Sequence, residues 1–471
     1  MKKELLSTLI ISLIVTISGC STNNFNSPPD NIKNNVIKEN VESSLAKTLV
    51  IRFNSNVNQQ QINKLNSDIG INSFNTISNE LKIVKIQTKS QTELNIIKQK
   101  YIASDLVKYA EQDAKLSLFP YTIVANSQAN FSVKADGARP NDSFYGLQWN
   151  AQSIDADKAW TITTGDPKIV VAVIDSGVDP DHPDLINNLL PLIDMLDDSG
   201  QPDTYVNAGI NVDYAGRDGN GHGTHVTGIL AASINNGKGI AGIAGNVKIL
   251  PIKAADHEGN TSASIIAKSI LKAIEKGVRV INLSIGGPPS EGTQALQDAV
   301  DLAISKGIVF VSATGNESNR SASFIEKVTV PAAYPGVISV AATTVYDKVA
   351  NYSNGGTEVE ISAPGGGGKS SEGEKIYSTW PTYKTFEGYR ANISGPYTTL
   401  SGTSMSCPHV SAVAALILSR EPNLTGQQVR VRLLSTTTNI DGANYDQDTG
   451  YGKLNAYNAL VNNTNDKKIR N

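Results

Sequence analysis

The feature that most constrains the fold of this chain is an alternation of short apolar runs with segments of helical periodicity, through roughly its last two-thirds. The run Lys168–Ile174 (KIVVAVI) is apolar throughout, which is typical of a strand covered on both faces. Ser264–Lys276 has apolar residues at helical spacing and is followed by Gly277, a typical helix stop. We therefore predict an α/β fold with a doubly wound, mainly parallel sheet and helices on both faces. The other predicted strands are Lys248–Ala254, Val278–Ile285, Ile308–Ala313 and Val337–Ala342, and Thr293–Lys306 is a second predicted helix.

A smaller unit precedes this sheet at residues 46–115. Its apolar pattern predicts the order β-α-β-β-α-β, which is the ferredoxin-like arrangement. Its sequence holds no cluster of catalytic side chains, so we interpret the unit as a binding or chaperone module. The predicted strands are Thr48–Phe53, Ile71–Ile77, Leu81–Gln87 and Val107–Glu111, and the predicted helices are Asn58–Ile69 and Glu93–Tyr101.

The N-terminus has the form of an export signal. Residues 1–19 begin with two lysines and continue in an apolar run that is short for a membrane-spanning helix. The run ends in Ser18-Gly19-Cys20, which resembles the lipobox of bacterial lipoproteins, where the Cys becomes lipidated. A plain secretory signal that ends in a chance Cys is the alternative. Residues 20–45 are polar and predict a disordered tether, so we expect an exported chain with a lipid anchor at Cys20.

Two further segments complete the predicted organisation. Residues 116–140 have no periodicity and predict an irregular linker before a domain at residues 141–461. Residues 462–471 predict a polar, frayed tail.

Composition excludes several classes of protein. The chain has 41 Lys+Arg against 44 Asp+Glu, a net charge of −3, which gives no reason to expect nucleic-acid binding. Its 39% of hydrophobic residues is ordinary for a globular protein and excludes a polytopic membrane protein. With two Cys in 471 residues, a disulfide framework is not expected.

Four polar residues stand where the predicted strands end or where helices begin. Asp175 follows Val173-Ile174, Asn316 follows the strand Ile308–Ala313, and both His222 and Ser404 lie at Gly-containing turns into apolar helices. A serine hydroxyl needs a base to take its proton and a carboxylate to orient that base. An amide side chain and a helix N-terminus can stabilise the oxyanion. Periodicity alone does not establish that the four residues meet.

The blocks that contain these residues resemble the signature blocks of the subtilisin-like serine proteases, in the same order. They are VAVIDSGVDPDHPDL, DGNGHGTHVTGILAA, INLSIGG, ATGNES and LSGTSMSCPHVSAVAAL. The resemblance implies a serine endopeptidase of peptide and protein substrates, with Ser404 as nucleophile, His222 as general acid/base, Asp175 as its orienter and Asn316 in the oxyanion hole. It implies substrate-binding segments at Ser284-Ile285-Gly286 and Ala313-Thr314-Gly315, with Thr329 near the pocket floor. A zinc site at His222 and His225 is the alternative for the histidines.

The same resemblance implies a structural Ca²⁺ ion. SINNGKGIAG is similar to a calcium loop of the family, with Asn236 offering a side-chain oxygen. Oxygen ligands from one loop plus carboxylates suit Ca²⁺. An acid-rich insertion from Asp194 to Asp218 is a candidate for a second site without assignable ligands. The implied ligands are Asp142, Asp184, Ile234, Asn236, Lys238 and Ile240.

By position, residues 46–115 resemble the family's inhibitory propeptide, so we expect a self-inhibited precursor that cleaves itself within the linker. An unrelated accessory domain is the alternative. A processing protease of narrow specificity and an inactive binding protein on a protease fold are the alternatives for the whole chain.

Overall fold

The computed structural model describes residues 47–124, 137–196, 203–207, 210–368 and 374–461. The predicted signal, Cys20, the tether and the polar tail all lie outside these residues. Residues Ser44–Asn471 cluster as one compact unit. Among the described helices, none has both the length and the apolar character that crossing a membrane requires.

The N-terminal part of this unit is a four-stranded antiparallel sheet under two helices. Its strands are β1 (Thr48–Phe53), β2 (Asn75–Ser78), β3 (Ile83–Gln87) and β4 (Val107–Gln112), in the order β2-β3-β1-β4. The helices α1 (Gln59–Ile69) and α2 (Gln91–Ile102) begin at the N-caps Asn58 and Ser90. This order confirms the ferredoxin-like prediction, although β2 begins four residues later than expected.

The larger part is built on a seven-stranded sheet in which every pair of neighbours is parallel. The strand order is β17-β16-β15-β13-β7-β11-β8, so the early strand β7 lies in the interior of the sheet. These strands are β7 (Val170–Asp175), β8 (Ile193–Asp194), β11 (Lys248–Lys253), β13 (Val280–Leu283), β15 (Val309–Ala313), β16 (Ile338–Thr343) and β17 (Ile361–Pro364).

Helices cover both faces of this sheet, as predicted. Val171 and Val173 pack in one core, whereas Ala172 and Ile174 of the same strand pack in another. The alternation explains why the strand is apolar throughout. The helices are α3 (Trp149–Ser153), α4 (Ala156–Ala159), α5 (His222–Ala231), α6 (Ala263–Glu275), α7 (Gln294–Ser305), α8 (Phe386–Arg390), α9 (Thr403–Arg420), α10 (Gly426–Ser435) and α11 (Ala456–Val461).

Short antiparallel strands lie outside the main sheet. They are β5 (Lys115–Leu118), β6 (Thr122–Val124), β9 (Thr204–Asn207), β10 (Ile210–Asp213), β12 (Asn260–Ser262), β14 (Ile285–Gly286), β18 (Ile376–Thr379) and β19 (Tyr397–Ser401). The predicted strand Val278–Ile285 is therefore two strands, and β14 belongs to a different sheet from β13.

The prediction of an irregular linker at residues 116–140 is wrong for its described N-terminal part. β5 pairs with β12 and β14, and β6 pairs with β19. The partners of both strands lie more than 140 positions later in the chain. Main-chain pairing of this kind needs no apolar alternation, so the sequence pattern did not reveal it.

Candidate active site

Asp175 and His222 meet at the carboxyl end of the sheet. Asp175 is the last residue of β7, and His222 is the first residue of α5. Gly221, just before His222, has φ = 109° and packs against Trp380, where a Cβ atom would lie 2.3 Å from the indole ring. Only glycine fits this turn. Asp175 Oδ1 lies 2.8 Å from His222 Nδ1, and both side chains are buried.

Ser404 lies in the first turn of α9 and is also buried. Its hydroxyl donates to the Ser284 carbonyl oxygen at 3.5 Å, while His222 Nε2 has no hydrogen-bond partner within the described residues. The Tyr121 ring lies over His222 with centroids 5.1 Å apart. The structure therefore joins Asp175 to His222 but leaves Ser404 turned away from the imidazole.

Asn316 is oriented by the residue next to Ser404. The backbone amide and hydroxyl of Thr403 donate to Asn316 Oδ1 at 2.9 and 2.8 Å. Asn316 Nδ2 consequently faces the cleft, where it donates to the Pro120 carbonyl oxygen at 2.8 Å. This is the donor geometry that stabilises an oxyanion.

The predicted substrate-binding segments line the same cleft. Ile285 and Gly286 pair with Leu118 and Ser117 of β5, and on its other side β5 pairs with β12. The edge at β12 is a pairing edge that sequence reasoning missed, because Asn260–Ser262 is too short and polar to be recognised as a strand. The chain's own β5 thus lies extended between two strands.

The Phe119 side chain packs beside these strands. A Cβ atom on Gly286 would lie 2.8 Å from Cζ of the Phe119 ring, so this ring packs directly on the backbone of β14. Ala313, Thr314 and Gly315 lie at and after the end of β15, and the Thr314 carbonyl accepts from the Thr329 amide at 3.0 Å.

The two predicted carboxylate ligands contact one loop, which contains the other four predicted ligands. Asp142 Oδ2 accepts from the Asn235 amide at 2.8 Å, and Asp184 Oδ1 accepts from Asn236 Nδ2 at 2.7 Å. The Ile240 amide donates to Asp184 Oδ2 at 2.9 Å. The other implied ligands, Ile234 and Lys238, belong to the same loop, and the Lys238 amide donates to Asn236 Oδ1 at 2.7 Å.

The negative charges of the two carboxylates at this loop are not neutralised by Lys or Arg within the described residues. Both carboxylates are buried, and neither forms an ion pair with Lys or Arg within the described residues. Burial raises the pKa of Asp184 to about 6, and it also raises the pKa of Asp142. No group of three or more His, Cys, Asp or Glu side chains that could hold a metal ion occurs among the described residues. Any ion here would therefore depend on amide and carbonyl oxygens as well.

Two buried carboxylates of the acid-rich insertion contact other residues of the protein. Asp203 accepts from Lys253 Nζ at 2.7 Å and lies 2.5 Å from His257 Nδ1. Among the residues that the structure describes, the Asp218 carboxylate accepts only from backbone amides and hydroxyls. These contacts identify structural roles for both residues.

The remaining histidines and Cys407 have structural contacts. His225 Nε2 lies 3.2 Å from the Ile376 carbonyl, and burial lowers its pKa to about 3. The His222 and His225 rings thus have different partners, which disfavours a shared zinc ion. His182 Nε2 lies 3.0 Å from the Pro396 carbonyl oxygen. Burial raises the pKa of the Cys407 thiol to about 12, so this Cys beside the nucleophile is unreactive.

Comparisons with known proteins agree with this geometry. The sequence model of the subtilase family matches residues 166–452. A thermophilic serine proteinase of Bacillus sp. (strain AK1) is 39% identical over 327 residues, which is 68% of this chain and 69% of that protein. Thermitase of Thermoactinomyces vulgaris is 34% identical over 322 residues, covering 68% of this chain and 99% of thermitase.

A solved structure is similar over a longer stretch. It is fervidolysin from Fervidobacterium pennivorans, described as a keratinolytic enzyme related to subtilisin, with a TM-score of 0.71 and 28% identity. The match covers 88% of this chain and 60% of that one. With a family match over more than half its length, this chain belongs to the subtilase family of serine proteases.

Proposed function

We propose that this chain is an exported, lipid-anchored endopeptidase, made as a self-inhibited precursor, in which Ser404, His222 and Asp175 form the catalytic triad. The observation that carries the proposal is the contact of the chain's own Pro120 carbonyl with Asn316 Nδ2 in the substrate cleft. In the reaction, Ser404 Oγ attacks the substrate carbonyl while His222 takes its proton, held by Asp175. Asn316 stabilises the oxyanion, His222 protonates the leaving amine, and water then hydrolyses the acyl-enzyme.

Contacts between the N-terminal sheet and the larger domain support the inhibitory role. Glu111 accepts from the backbone amides of Gln294 and Ala295 at 2.9 and 2.8 Å, at the start of α7. Asp113 accepts from the amide and hydroxyl of Ser264 at 2.9 and 2.6 Å, at the start of α6. Carboxylates at helix N-termini are stabilising, so these two residues fix the N-terminal sheet beside the cleft.

The linker binds in a register that resists cleavage. The side chain that packs on Gly286 belongs to Phe119, whereas the carbonyl that reaches Asn316 belongs to Pro120. A productive substrate must offer both groups from one residue, because the attacked carbonyl is positioned by its own side chain. The bond after Phe119 ends in a proline nitrogen, which has no N–H and a fixed φ. We therefore expect slow cleavage at residues 119–121.

Intact mass is the test of the precursor. The full chain with calcium should lose its N-terminal region by a cut within residues 116–140, and Ser404→Ala should stay whole. Pro120→Ala should be cut sooner, at the bond after Phe119. If Pro120→Ala is processed no faster than the wild type, the resistance assigned to Pro120 is wrong. If Ser404→Ala is also cut, another protease performs the processing.

Calcium binding is the second part of the proposal. Asp142 and Asp184 offer two buried carboxylates, and Asn236 offers an amide oxygen from the loop that both contact, which is a donor set that Ca²⁺ prefers. The ion would neutralise two buried charges and hold the loop at residues 234–240.

The anchor at Cys20 is the third part, and it is supported by the sequence of the signal. Incorporation of labelled palmitate by the wild type, and its loss in Cys20→Ser, would support lipidation. Equal labelling of both chains would overturn it in favour of a plain secretory signal.

Narrow specificity is a second candidate because the segment around α8 borders the space beside the linker. Glu258 and Glu387, together with Arg390, border the space beside Pro120 and Tyr121. A peptide-library cleavage profile separates a processing protease from a broad one. Labelling of Ser404 by a fluorophosphonate separates both from an inactive binding protein.

A further inference from the structure

Asp218 is a buried carboxylate that the reaction described above does not use. Its side chain is fully buried. Oδ1 accepts from the Ser176 hydroxyl at 2.9 Å and from the amides of Asn220 and Gly221 at 3.1 and 2.7 Å. Oδ2 accepts from the amide and hydroxyl of Thr224 at 2.8 and 2.7 Å. One carboxylate thus gathers donors from two separate parts of the chain.

These donors lie directly beside two members of the triad. Ser176 follows Asp175, and its amide donates to Asp175 Oδ1 at 2.8 Å, while its hydroxyl, whose one proton is donated to Asp218, lies 3.3 Å from the same oxygen. The Ser176 hydroxyl also accepts from the Gly223 amide at 3.0 Å, just after His222. Asp218 therefore links the turn that contains Asp175 with the first turn of the helix that begins at His222.

We propose that Asp218 is a positioning residue of this protease, holding Asp175 and His222 in register and adding a second buried negative charge behind the imidazole. The proposal rests on the triad roles assigned above. No Lys, Arg or His ion pair with Asp218 occurs among the described residues, so helix-terminal amides and hydroxyls stabilise its charge.

The charge predicts a direction for the pH dependence of catalysis. A nearby anion favours the protonated form of a catalytic base, so removal of the anion should move the acid limb of kcat/KM to lower pH. The positive charge of Lys253, a residue of β11, has the opposite effect on the pH dependence. Lys253 Nζ donates to the Ser176 carbonyl oxygen at 2.9 Å. The titratable and charged groups that face this cluster are Tyr121, Asp175, Asp179, His225, Lys253 and Tyr383.

The test compares Asp218→Asn with Asp179→Asn. Asp179 is also fully buried, but its carboxylate accepts from Asp181 and Thr382 and touches neither Ser176 nor residues 220–224. The full chains are incubated with calcium until their mass is constant, titrated with a fluorophosphonate, and assayed with a peptide nitroanilide. Asp218→Asn should lower kcat about tenfold or more, as expected for a buried carboxylate that loses acceptor capacity, with KM within about twofold. The acid limb of its kcat/KM profile should move to lower pH, and that of Asp179→Asn should move less, because the Asp179 carboxylate contacts neither Ser176 nor the amides of residues 220–224.

Unchanged kcat and an unchanged acid limb in folded Asp218→Asn would overturn the proposal. An equal shift of the acid limb in Asp179→Asn would also overturn it. If Asp218→Asn does not fold, Ser176→Ala decides, because it removes the bridging hydroxyl alone and should still lower kcat at constant KM. Absence of turnover in the wild type would instead refute the triad assignment.

Discussion

At the scale of single residues, the orientation of Asn316 depends on Thr403, which is distant in sequence and adjacent in space. Two hydrogen bonds from Thr403 occupy Asn316 Oδ1, so Nδ2 is left to face the cleft. The sequence predicted Asn316 as a donor, but nothing in it distinguished Thr403 from the other polar residues of the block SGTSMS. The contact became evident only from the packing of α9 against β15.

This arrangement predicts graded losses of catalysis. Asn316→Ala should lower kcat by an amount that corresponds to a loss of about 3 kcal/mol of transition-state stabilisation. This is the size of the loss when subtilisin loses its side-chain oxyanion donor. Thr403→Val should cost about tenfold in kcat, because it removes one of the two hydrogen bonds that orient the Asn316 amide. The measurement is kcat and KM after active-site titration, with Thr403→Ser as the control that keeps the hydroxyl. Normal kinetics in Thr403→Val would show that Thr403 does not orient the amide.

The burial of His409 predicts that the stability of the fold depends on pH. Its Nε2 lies 2.8 Å from Asn150 Nδ2, and burial lowers its pKa to about 4, below the usual 6.5. The unfolded chain therefore binds an additional proton between these values, so His409 stabilises the fold above pH 6.5 and this contribution is lost as the pH falls towards 4. In a Ser404→Ala background, His409→Gln should flatten the fall of Tm over this range. An equal slope in both chains would contradict the assignment.

At the scale of elements, periodicity predicted the helices better than the short strands. α6 and α7 each begin at a hydroxyl N-cap, Ser262 or Thr293, and end before Gly277 or Gly307 in the left-handed conformation. These local signals fix their bounds to within one residue. β5 and β6 carry no such signals, because the edges that stabilise them come from elsewhere in the chain.

The N-termini of α6 and α7 also predict how tightly the N-terminal sheet is held. Glu111→Ala with Asp113→Ala should weaken inhibition about tenfold, since each cap contributes about 0.5–1 kcal/mol. After the linker is cut, a given rate of substrate turnover should therefore be reached at a lower total concentration of the variant than of the wild type. Glu93→Ala is the control, because Glu93 contacts only the Lys89 amide and its own N-cap Ser90. A similar effect in the control would exclude the caps as the cause.

At the scale of the whole molecule, the loop at residues 234–240 joins the start of the larger domain to the segment after β7. Asp142 and Asp184 come from these two regions, and both hydrogen-bond to this loop. The cation that we propose at this loop would stabilise only the folded chain, by about 2.7 kcal/mol at a concentration 100 times its Kd.

Chelation should therefore lower the Tm of Ser404→Ala, by about 5 °C for a domain of this size. Asp184→Asn should begin from the lower Tm and respond little to the chelator. Asp181→Asn removes an exposed carboxylate from the same segment and should behave like the parent. An unchanged Tm of the parent after exhaustive chelation would exclude the calcium site.

The sequence by itself determined the strand and helix order of both folded parts, and the blocks that carry Asp175, His222, Ser404 and Asn316. It could do so because apolar periodicity, helix caps and glycine stops are local and act over a few residues. Tertiary structure alone decided that residues 115–124 lie in the cleft, that Pro120 rather than Phe119 reaches Asn316, and that Asp218 joins Asp175 to His222. These features depend on main-chain pairing at strand edges and on buried polar contacts between segments far apart in the chain. Such contacts produce no periodic pattern in the sequence of the residues that make them.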